Sequence, residues 1–475
     1  MTDAIRRVPY VRPLFVVAVT VTVLLATTYL GSHPSVRWLV LILAGIGAAV
    51  LLQQPIWGFY ALVAAALIVP LEIGTGTEVK LNLAALLVPA LGAVWVLDMV
   101  RRRDLHLVPS NVNGPLWLFL LAGLLSLLVG IVLWDPAVPR SGNFIVVQLA
   151  QWAIFAFSAL ALWLVANVVR DEVGLRRLTF FYLALAGSLA ILRVSPGGGL
   201  GRLTTFALER APFWLLLIAV AGGQLLFNRQ LSAGWRGFLL VTVGAVVLYA
   251  FVIERKTLSN LVGVVPVLGV LAWLRWPRFR LTLLAIAVIS LAAFFPMIYD
   301  FAGGEAEWEE SGGSRLALIG RVVEVTLRNP ITGLGPAAYR PYARMEPLPY
   351  GRALWFDPQV NSHNNYVDLF SHVGLLGLGL FFWFAIEVER LGIRLRARFA
   401  EGFAAGYVSA MMAAWVGALA VMLMGDWILP FVYNIGFPGF QASVLVWLFL
   451  GGLVALEQMV CSKSYGTGVR DGSKH

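Results

Sequence analysis

The stretch NSHNNYVDLFSHVGLLGLG, residues 361–379, changes from a polar loop to an apolar helix within a few residues. His363 lies at this boundary, and the chain of 475 residues has only five histidines. The asparagine and serine side chains around it can cap a helix, and the residues that follow are apolar enough to enter lipid. We therefore predict that a helix enters the membrane here, with an ionisable ring at its mouth.

The composition predicts that most of the chain lies in a membrane. Hydrophobic residues make up 60% of the sequence and charged residues only 13%, whereas soluble domains are about a quarter charged. The single cysteine, Cys461, excludes an internal disulfide and a cysteine metal cluster. The net charge is +10, but in a membrane protein the location of the charges matters more than their sum. We therefore expect no nucleic-acid partner.

Apolar runs long enough to cross the hydrocarbon core occur fourteen times. They cover residues 13–30, 37–53, 55–72, 81–100, 115–134, 144–168, 178–192, 206–227, 237–253, 258–274, 281–299, 365–387, 403–424 and 438–457. The sequence thus predicts an all-α polytopic membrane protein of about fourteen transmembrane helices, in a single transmembrane domain that spans residues 1–475.

The lysines and arginines predict that both termini are cytoplasmic. With this orientation the inner segments hold more than half of the 35 basic residues, and each has at least two, apart from the short turn at 53–55. Such a bias marks cytoplasmic loops. The longest loop, residues 300–364 between spans eleven and twelve, is then extracytoplasmic.

The predicted outer segments retain some basic residues against this bias, and four of them are considered as candidates for function. Arg202 lies in SPGGGLGRLTTF, Arg255 and Lys256 lie in VIERKTLSN, and Arg315 lies in the long loop. Cations retained on the outer side are candidates for function; the alternative for each is a headgroup anchor or a loop salt bridge.

The long loop contains one predicted helix. Apolar residues in SRLALIGRVVEVTLRNP recur at helical spacing, and Asn329-Pro330 ends the pattern. This amphipathic helix, of about 14 residues, is expected to lie along the membrane surface or to cover a cavity. The acidic stretch at 303–313 predicts a solvated flap; it can also bind a divalent cation, but its glutamates lack a ligand spacing.

Residues 200–385 resemble the O-antigen ligase and polymerase family. The resemblance rests on an arginine (Arg315) about fifteen residues before an Asn-Pro-x-x-Gly-x-Gly turn, followed by a His-Asn pair and a Gly-x-x-Gly span. These last elements are His363-Asn364 and Gly374 with Gly377. The strings ERKTLSNLVGVV and GRLTTFALERAPFWLLL are similar to two further elements of the family, although Glu254 and Lys256 stand where it has serine and glycine.

The resemblance implies a membrane glycosyltransferase. Such an enzyme moves a glycan from a polyprenyl (undecaprenyl) diphosphate carrier to an acceptor hydroxyl, on the periplasmic or exterior face of the bacterial inner membrane. The expected partners are the carrier-linked glycan donor, a glycan or lipid-anchored sugar acceptor and membrane lipids, with no cofactor. The expected catalytic residues are His363, Arg315 and Arg255. The expected substrate-binding residues are Arg202, Asn364, Lys256 and Tyr339.

These residue types suit the implied chemistry. A guanidinium offers a permanent charge and a planar fork of donors for a diphosphate. Either Arg202 or Arg255 can be the second clamp beside Arg315, whereas Arg321 is expected to be dispensable. His363 is expected to act as general base or to position the acceptor by a hydrogen bond. His372 is expected to pack in the interior.

Three alternatives remain open at this stage. The family includes ligases, whose acceptor is a lipid-anchored core sugar, and polymerases of O-antigen or exopolysaccharide repeats, whose acceptor is carrier-linked. A transporter or flippase for polysaccharide or lipid would also have many spans, but charged residues near mid-bilayer are typical of that class. The outer face has no His/Asp/Glu cluster with metal-ligand spacing, so a metal-independent enzyme is predicted.

Overall fold

The computed structural model describes residues 45, 47, 50–74, 79–196, 205–254, 258–303, 315–345 and 362–468. The chain divides into two compact units, Met1–Pro55 and Ile56–His475. In the first unit residues 50–53 are helical, and the Gln54 amide donates to the Val50 carbonyl at 2.8 Å. The predicted span at 13–30 and most of the one at 37–53 lie outside the described residues. Every element below belongs to the second unit.

The structure is mostly helical, at 78%. Its α-helices are α1 (Ile56–Ile68), α2 (Leu83–Arg102), α3 (Asn113–Val132), α4 (Phe144–Val168), α5 (Glu172–Val194), α6 (Ala211–Phe227), α7 (Ala233–Leu248), α8 (Leu258–Arg275), α9 (Arg280–Gly303), α10 (Arg315–Thr326), α11 (Tyr339–Met345), α12 (Asn365–Arg398), α13 (Phe403–Val421) and α14 (Gly436–Gly468). Short 3₁₀ helices cover Phe206–Glu209 and Pro277–Phe279, and a π-helical turn, Tyr249–Ile253, continues α7. Each predicted span from 55–72 onward coincides with one of these helices.

The all-α prediction misses one small hairpin. Strands β1 (Glu72–Gly74) and β2 (Lys80–Asn82) pair antiparallel, with Ile73 opposite Leu81. Lys80 and Glu72 form an ion pair across the strands at 3.1 Å. Asn82, at the end of β2, caps α2 by accepting a hydrogen bond from the Ala85 amide.

The length and composition of the helices agree with a membrane protein. Within the described residues, eight helices are long and apolar enough to cross a membrane, or nine if a bent pair is counted as one span. That pair, Val262–Arg275 and Pro277–Ser290, bends by 116°. Helices α1 and α6 are apolar but shorter, with 13 and 17 residues. The amphipathic helix predicted in the long loop is α10, which buries Leu318, Val322 and Val325.

The centre of the bundle contains α6, α13 and α14. Nearly every residue of α6 and α13 is buried, as expected of helices that are apolar on all sides. Helix α8 packs on both of them, and α14 packs along α4. These helices support the connecting segments at each end of the bundle.

The five segments at one end of the bundle contact one another. This end, called the histidine end, comprises residues 133–143, 205–210, 328–345, 362–368 and 422–435. Trp134 and Tyr342 have ring centroids 4.8 Å apart, Arg328 pairs with Asp135 at 3.2 Å, and the Asn365 amide donates to the Met422 carbonyl at 2.8 Å. Each of these segments belongs to a predicted extracytoplasmic loop or to the adjoining outer end of a predicted span.

The opposite end comprises residues 103–112, 228–232, 399–402 and 457–458. Glu457 accepts hydrogen bonds from Ser110 at 2.7 Å and from Arg394 at 3.1 Å. The Gly402 amide donates to the Phe227 carbonyl at 3.1 Å. These segments were predicted to be cytoplasmic, so the contacts join segments predicted to lie on the same side of the membrane.

Candidate active site

Asn364 caps helix α12. Its side-chain oxygen accepts hydrogen bonds from the amides of Tyr366 at 3.0 Å and Val367 at 3.2 Å, and its side-chain nitrogen donates to the Leu423 carbonyl at 3.2 Å. This side chain therefore has a structural role at the helix N-terminus. Its predicted role in substrate binding stays a prediction.

His363 has an unusual backbone conformation immediately before this cap. Its φ is +50°, in the left-handed region that residues with a Cβ rarely occupy. The side chain is partly exposed. On one side of it, Ser362 donates from its hydroxyl to the Asp368 carboxylate at 2.6 Å. Strained backbone held by its surroundings is frequent at functional sites.

Asn365 joins the start of α12 to the connection between α13 and α14. Its side-chain nitrogen donates to the Leu429 carbonyl at 2.7 Å. Its side-chain oxygen accepts from the amides of Ile428 at 3.3 Å and Leu429 at 3.1 Å. The start of α12, which directly follows His363 and Asn364, is thus fixed to residues 422–435, which we call the C-terminal loop.

The C-terminal loop is organised by a buried carboxylate, Asp426, which is 2% exposed. This carboxylate accepts hydrogen bonds from the Phe431 amide at 2.8 Å and the Asn434 side chain at 2.7 Å. Gln151 of α4 donates to the Pro430 carbonyl at 3.0 Å. Asp426 also lies close enough to Asp368 for the two carboxylates to interact electrostatically. Sequence reasoning missed Asp426; the signal was a lone acidic residue within the apolar string MLMGDWILPF.

A second missed residue, Arg210, contacts the same loop. Its guanidinium lies 3.9 Å from the Phe206 ring centroid and 5.3 Å from that of Trp427. Burial lowers the pKa of Arg210, and the charges of Glu209 and Asp426 oppose that shift. The string GRLTTFALERAPFWLLL contains both Arg202 and Arg210. Only Arg210 lies within the described residues.

Helix α12 is broken at Gly374, where φ is +65° and ψ is −170°. Residues 329–338, which we call the docked turn, enter this break. The amides of Leu375 and Leu376 donate to the carbonyls of Pro330 at 2.9 Å and Ile331 at 3.1 Å. The Ser371 carbonyl accepts from the Leu334 amide at 2.9 Å. Backbone groups that the break removes from the helical ladder are therefore paired again, as an apolar environment requires.

Two glycines make this close approach possible. A Cβ on Gly374 would lie 2.2 Å from the Ile331 carbonyl oxygen, and a Cβ on Gly333 would lie 2.5 Å from the Gly374 nitrogen. Both glycines also have positive φ, at +65° and +78°, which favours glycine. The Asn-Pro-x-x-Gly-x-Gly turn and the Gly-x-x-Gly span are therefore two halves of one contact.

His372 packs beneath the docked turn, as the sequence predicts. Its ring lies 5.1 Å from that of Phe431 and 6.1 Å from that of Phe155. Its Nδ1 accepts a hydrogen bond from the Ala337 amide at 3.2 Å, and its carbonyl accepts one from the Ser126 hydroxyl at 2.6 Å. His372 thus holds the docked turn in the break of α12.

Tyr339 follows the docked turn and is only 5% exposed. Burial raises the pKa of Tyr339 to about 12, while the nearby Arg321 lowers it and the Asp368 charge raises it. Arg321, which the sequence predicts to be dispensable, has a side chain that is 10% exposed and pairs with Glu324 at 2.8 Å; its dispensability stays a prediction. Tyr339 therefore lies between α10 and the start of α12, and its role in substrate binding stays a prediction.

The remaining predicted arginines are only partly described. Arg315 is the first residue of α10, while Arg202, Arg255 and Lys256 lie outside the described residues. The π-helical turn that leads towards Arg255 begins at Tyr249, whose ring stacks on Trp214 with centroids 3.8 Å apart. The Trp214 indole in turn donates to the Leu208 carbonyl at 3.1 Å. The chain before Arg255 is thus attached to the segment that carries Arg210.

Metal ligands do not cluster in the part of the chain that the structure describes. Searching those residues finds no group of three or more His, Cys, Asp or Glu side chains that could hold a metal ion. The buried carboxylates at the histidine end instead accept hydrogen bonds from a hydroxyl, a backbone amide and a side-chain amide.

The fold and the site together define a multi-pass helical membrane protein with a polar, partly strained site at one end of the bundle. Residues 243–382 match the family model described as O-antigen ligase. The match covers less than half of the chain and includes α10, the docked turn and the His-Asn cap. It supports the O-antigen ligase family, which consists of glycosyltransferase-type enzymes in bacterial membranes that take a lipid-linked glycan donor. No curated protein matches the chain.

Proposed function

We propose that this protein transfers a glycan from a polyprenyl diphosphate carrier to an acceptor hydroxyl, in the manner of an O-antigen ligase, on the extracytoplasmic face of the bacterial inner membrane. The observation that carries the proposal is the contact between the docked turn and the break in α12, because both lie inside the family match. Through this contact α10, which begins at Arg315, is fixed to the helix that His363 precedes.

The proposed chemistry is a single displacement. The acceptor oxygen attacks the anomeric carbon of the donor sugar, the bond from that carbon to the diphosphate oxygen breaks, and the carrier diphosphate leaves with the electron pair. His363 takes the acceptor proton, or holds the acceptor hydroxyl by a hydrogen bond. Arg315, with Arg255 or Arg202, stabilises the charge that develops on the diphosphate.

The proposed orientation rests on two observations that agree. The excess of basic residues in alternate segments marks the opposite end as cytoplasmic. The contacts of the structure group the remaining segments at the histidine end. The proposed site therefore faces the periplasm or exterior, where carrier-linked glycans and their acceptors meet.

A transporter for a lipid-linked or polymeric glycan is the second candidate, because two observations are typical of that class. Helix α12 is broken inside the bundle, and discontinuous helices line the binding sites of many transporters. Asp368 and Asp426 are also buried, at 4% and 2% exposure, which membrane proteins usually restrict to functional positions.

A reconstituted assay separates the candidates. The full chain in lipid nanodiscs receives a synthetic polyprenyl-diphosphate sugar and one of two acceptors, a core-type lipid sugar or a second carrier-linked sugar. Transfer to the first supports a ligase, and transfer to the second supports a polymerase. Activity should persist in EDTA if the enzyme is metal-independent. Failure to transfer to either acceptor, together with movement of the carrier-linked sugar across proteoliposomes, would favour the transporter.

A further inference from the structure

Three residues at the start of α12, Ser362, Asn364 and Asp368, form a closed hydrogen-bonded network. The Ser362 hydroxyl donates to the Asp368 carboxylate at 2.6 Å and accepts from the Asn364 amide at 3.2 Å. The Asp368 amide donates to the Asn364 carbonyl at 3.0 Å, in the first turn of the helix. His363 lies between two members of this network, since Ser362 precedes it and Asn364 follows it.

This hydrogen-bonded network contains polar groups that are costly to bury. Ser362 is fully buried and Asp368 is 4% exposed. A buried carboxylate costs free energy unless hydrogen bonds and favourable charges compensate it. The N-terminus of α12 supplies part of that compensation, but the neighbouring carboxylate of Asp426 opposes it. An apolar residue at position 368 would avoid this cost, so the carboxylate needs a reason other than packing.

The left-handed backbone of His363 supplies that reason. With φ at +50°, this residue would relax to an ordinary conformation if its neighbours released it. Asn364 and Asn365 fix the chain after His363 through the helix cap and the C-terminal loop. Immediately before it, Ser362 is held by hydrogen bonds, of which the shortest is the one to Asp368 at 2.6 Å.

We propose that Asp368 is a positioning residue for His363. Through the Ser362 hydroxyl it holds the histidine backbone in the left-handed conformation and so sets where the imidazole meets the acceptor hydroxyl. This inference rests on the proposed function, because it assigns the role of Asp368 to a histidine that handles the acceptor proton. Asp368 itself contacts neither donor nor acceptor in this scheme.

The test compares D368L, D368N and S362A, each with His363 present and each combined with H363A. Asparagine keeps an oxygen that can accept from Ser362, whereas leucine keeps the branching at Cγ but removes the acceptor. The full chain in nanodiscs is assayed with polyprenyl-diphosphate sugar and the acceptor that supports transfer. With His363 present, we expect D368L and S362A to lower kcat by about tenfold or more, because small displacements of a catalytic group have large effects. The KM for the donor should change little, and D368N should keep most of the rate.

In combination with H363A, neither D368L nor S362A should lower the residual rate further, since the residue through which they act is already absent. An equal loss in both backgrounds would overturn the proposal and assign Asp368 to stability alone. So would a parental kcat in S362A, which removes a single hydroxyl and serves as the test if D368L does not fold.

The assays distinguish a wrong positioning role for Asp368 from a wrong proposed function. If H363A transfers as fast as the parent, the role of His363 is wrong, and the positioning role falls with it. If H363A is slow but S362A and D368L match the parent, the proposed function stands and only the positioning role is wrong.

Discussion

The two ends of the bundle treat their charges differently. At the opposite end, Arg229 and Glu401 form a solvated ion pair 3.2 Å apart, with side chains 74% and 60% exposed. At the histidine end, Asp368, Asp426 and Arg340 are each at most 5% exposed. Exposed pairs contribute little to stability, and buried charges are costly. The comparison points to the buried charges of the histidine end as candidates for a site, whereas an exposed pair suits topology and solubility.

The largest expected contrast between the ends is their accessibility. With Cys461→Ser as the parent, Ala137→Cys at the histidine end should react with a membrane-impermeant maleimide in intact spheroplasts. Leu105→Cys at the opposite end should react only after permeabilisation. Both positions are exposed in the structure. The reverse labelling pattern would invert the orientation and move the proposed site to the cytoplasm.

Replacing the histidine should give the largest loss of activity among single substitutions. His363→Ala is expected to lower kcat by about 10²–10⁴-fold, the usual contribution of a general base. His106→Ala is the matched control, because His106 is an exposed histidine of the opposite end that interacts with Asp104. Transfer is measured in nanodiscs with the carrier-linked donor. A parental rate for His363→Ala would exclude the His363 imidazole from the mechanism.

The donor arginine comes next. Arg315→Ala should lower kcat on the order of 10²-fold, as expected when one donor to a developing negative charge is lost. Arg315→Lys should restore little, because an ammonium lacks the planar fork. Arg344→Ala is the control, since Arg344 is an exposed arginine at the same end of the molecule. Equal rates for the alanine variants at 315 and 344 would contradict a role for Arg315.

A smaller effect, on stability, should follow from filling the break in α12. Gly374→Ala places a Cβ against the Ile331 carbonyl in a left-handed conformation, so we expect a loss of roughly 1–3 kcal/mol. Gly379→Ala in the same helix is the control, because its Cβ would meet nothing within 4 Å. The apparent thermal midpoint in detergent measures both. Similar midpoints would show that the docked turn can withdraw at little cost.

The smallest effect is expected at the opposite end. Arg229→Ala breaks the exposed pair with Glu401 and should change stability by less than about 1 kcal/mol, with an unchanged transfer rate. The same midpoint and activity assays apply. A loss comparable to that of Gly374→Ala would show that the two ends do not differ as their burial suggests.

The local sequence was sufficient to predict an element when the residues that determine its ends lie within or beside that element. Helix α4 begins and ends at the predicted residues, 144 and 168, because a polar segment precedes its apolar run and Arg170 follows it. The break in α12 was not predictable in this way. The sequence suggested one continuous span at 365–387, since the need for glycine at 374 arises from a turn about forty residues earlier in the chain.

The residues of the candidate site also differ in whether local sequence could identify them. His363 and Asn364 could be identified from a motif, because both lie at one helix start. Asp426 offered only the signal of a lone acidic residue in an apolar string, and the proximity of Asp426 to Asp368 and of Arg210 to Trp427 joins segments far apart in sequence. The burial of Arg321, whose side chain is 10% exposed, was also not predictable, because it depends on how α10 packs against other segments.

The contacts between distant segments at the histidine end also imply an order in which parts of the site form during synthesis. Gln151 holds the C-terminal loop across 279 positions of sequence, and Ser126 reaches the carbonyl of His372 across 246. Contacts between residues so far apart form late, because closing a long loop costs entropy before any contact is gained. A nascent chain that ends before residue 422 already contains the docked turn and the histidine, but it lacks the partner that fixes their cap. Catalytic competence is therefore expected only after residues 422–435 have been synthesised.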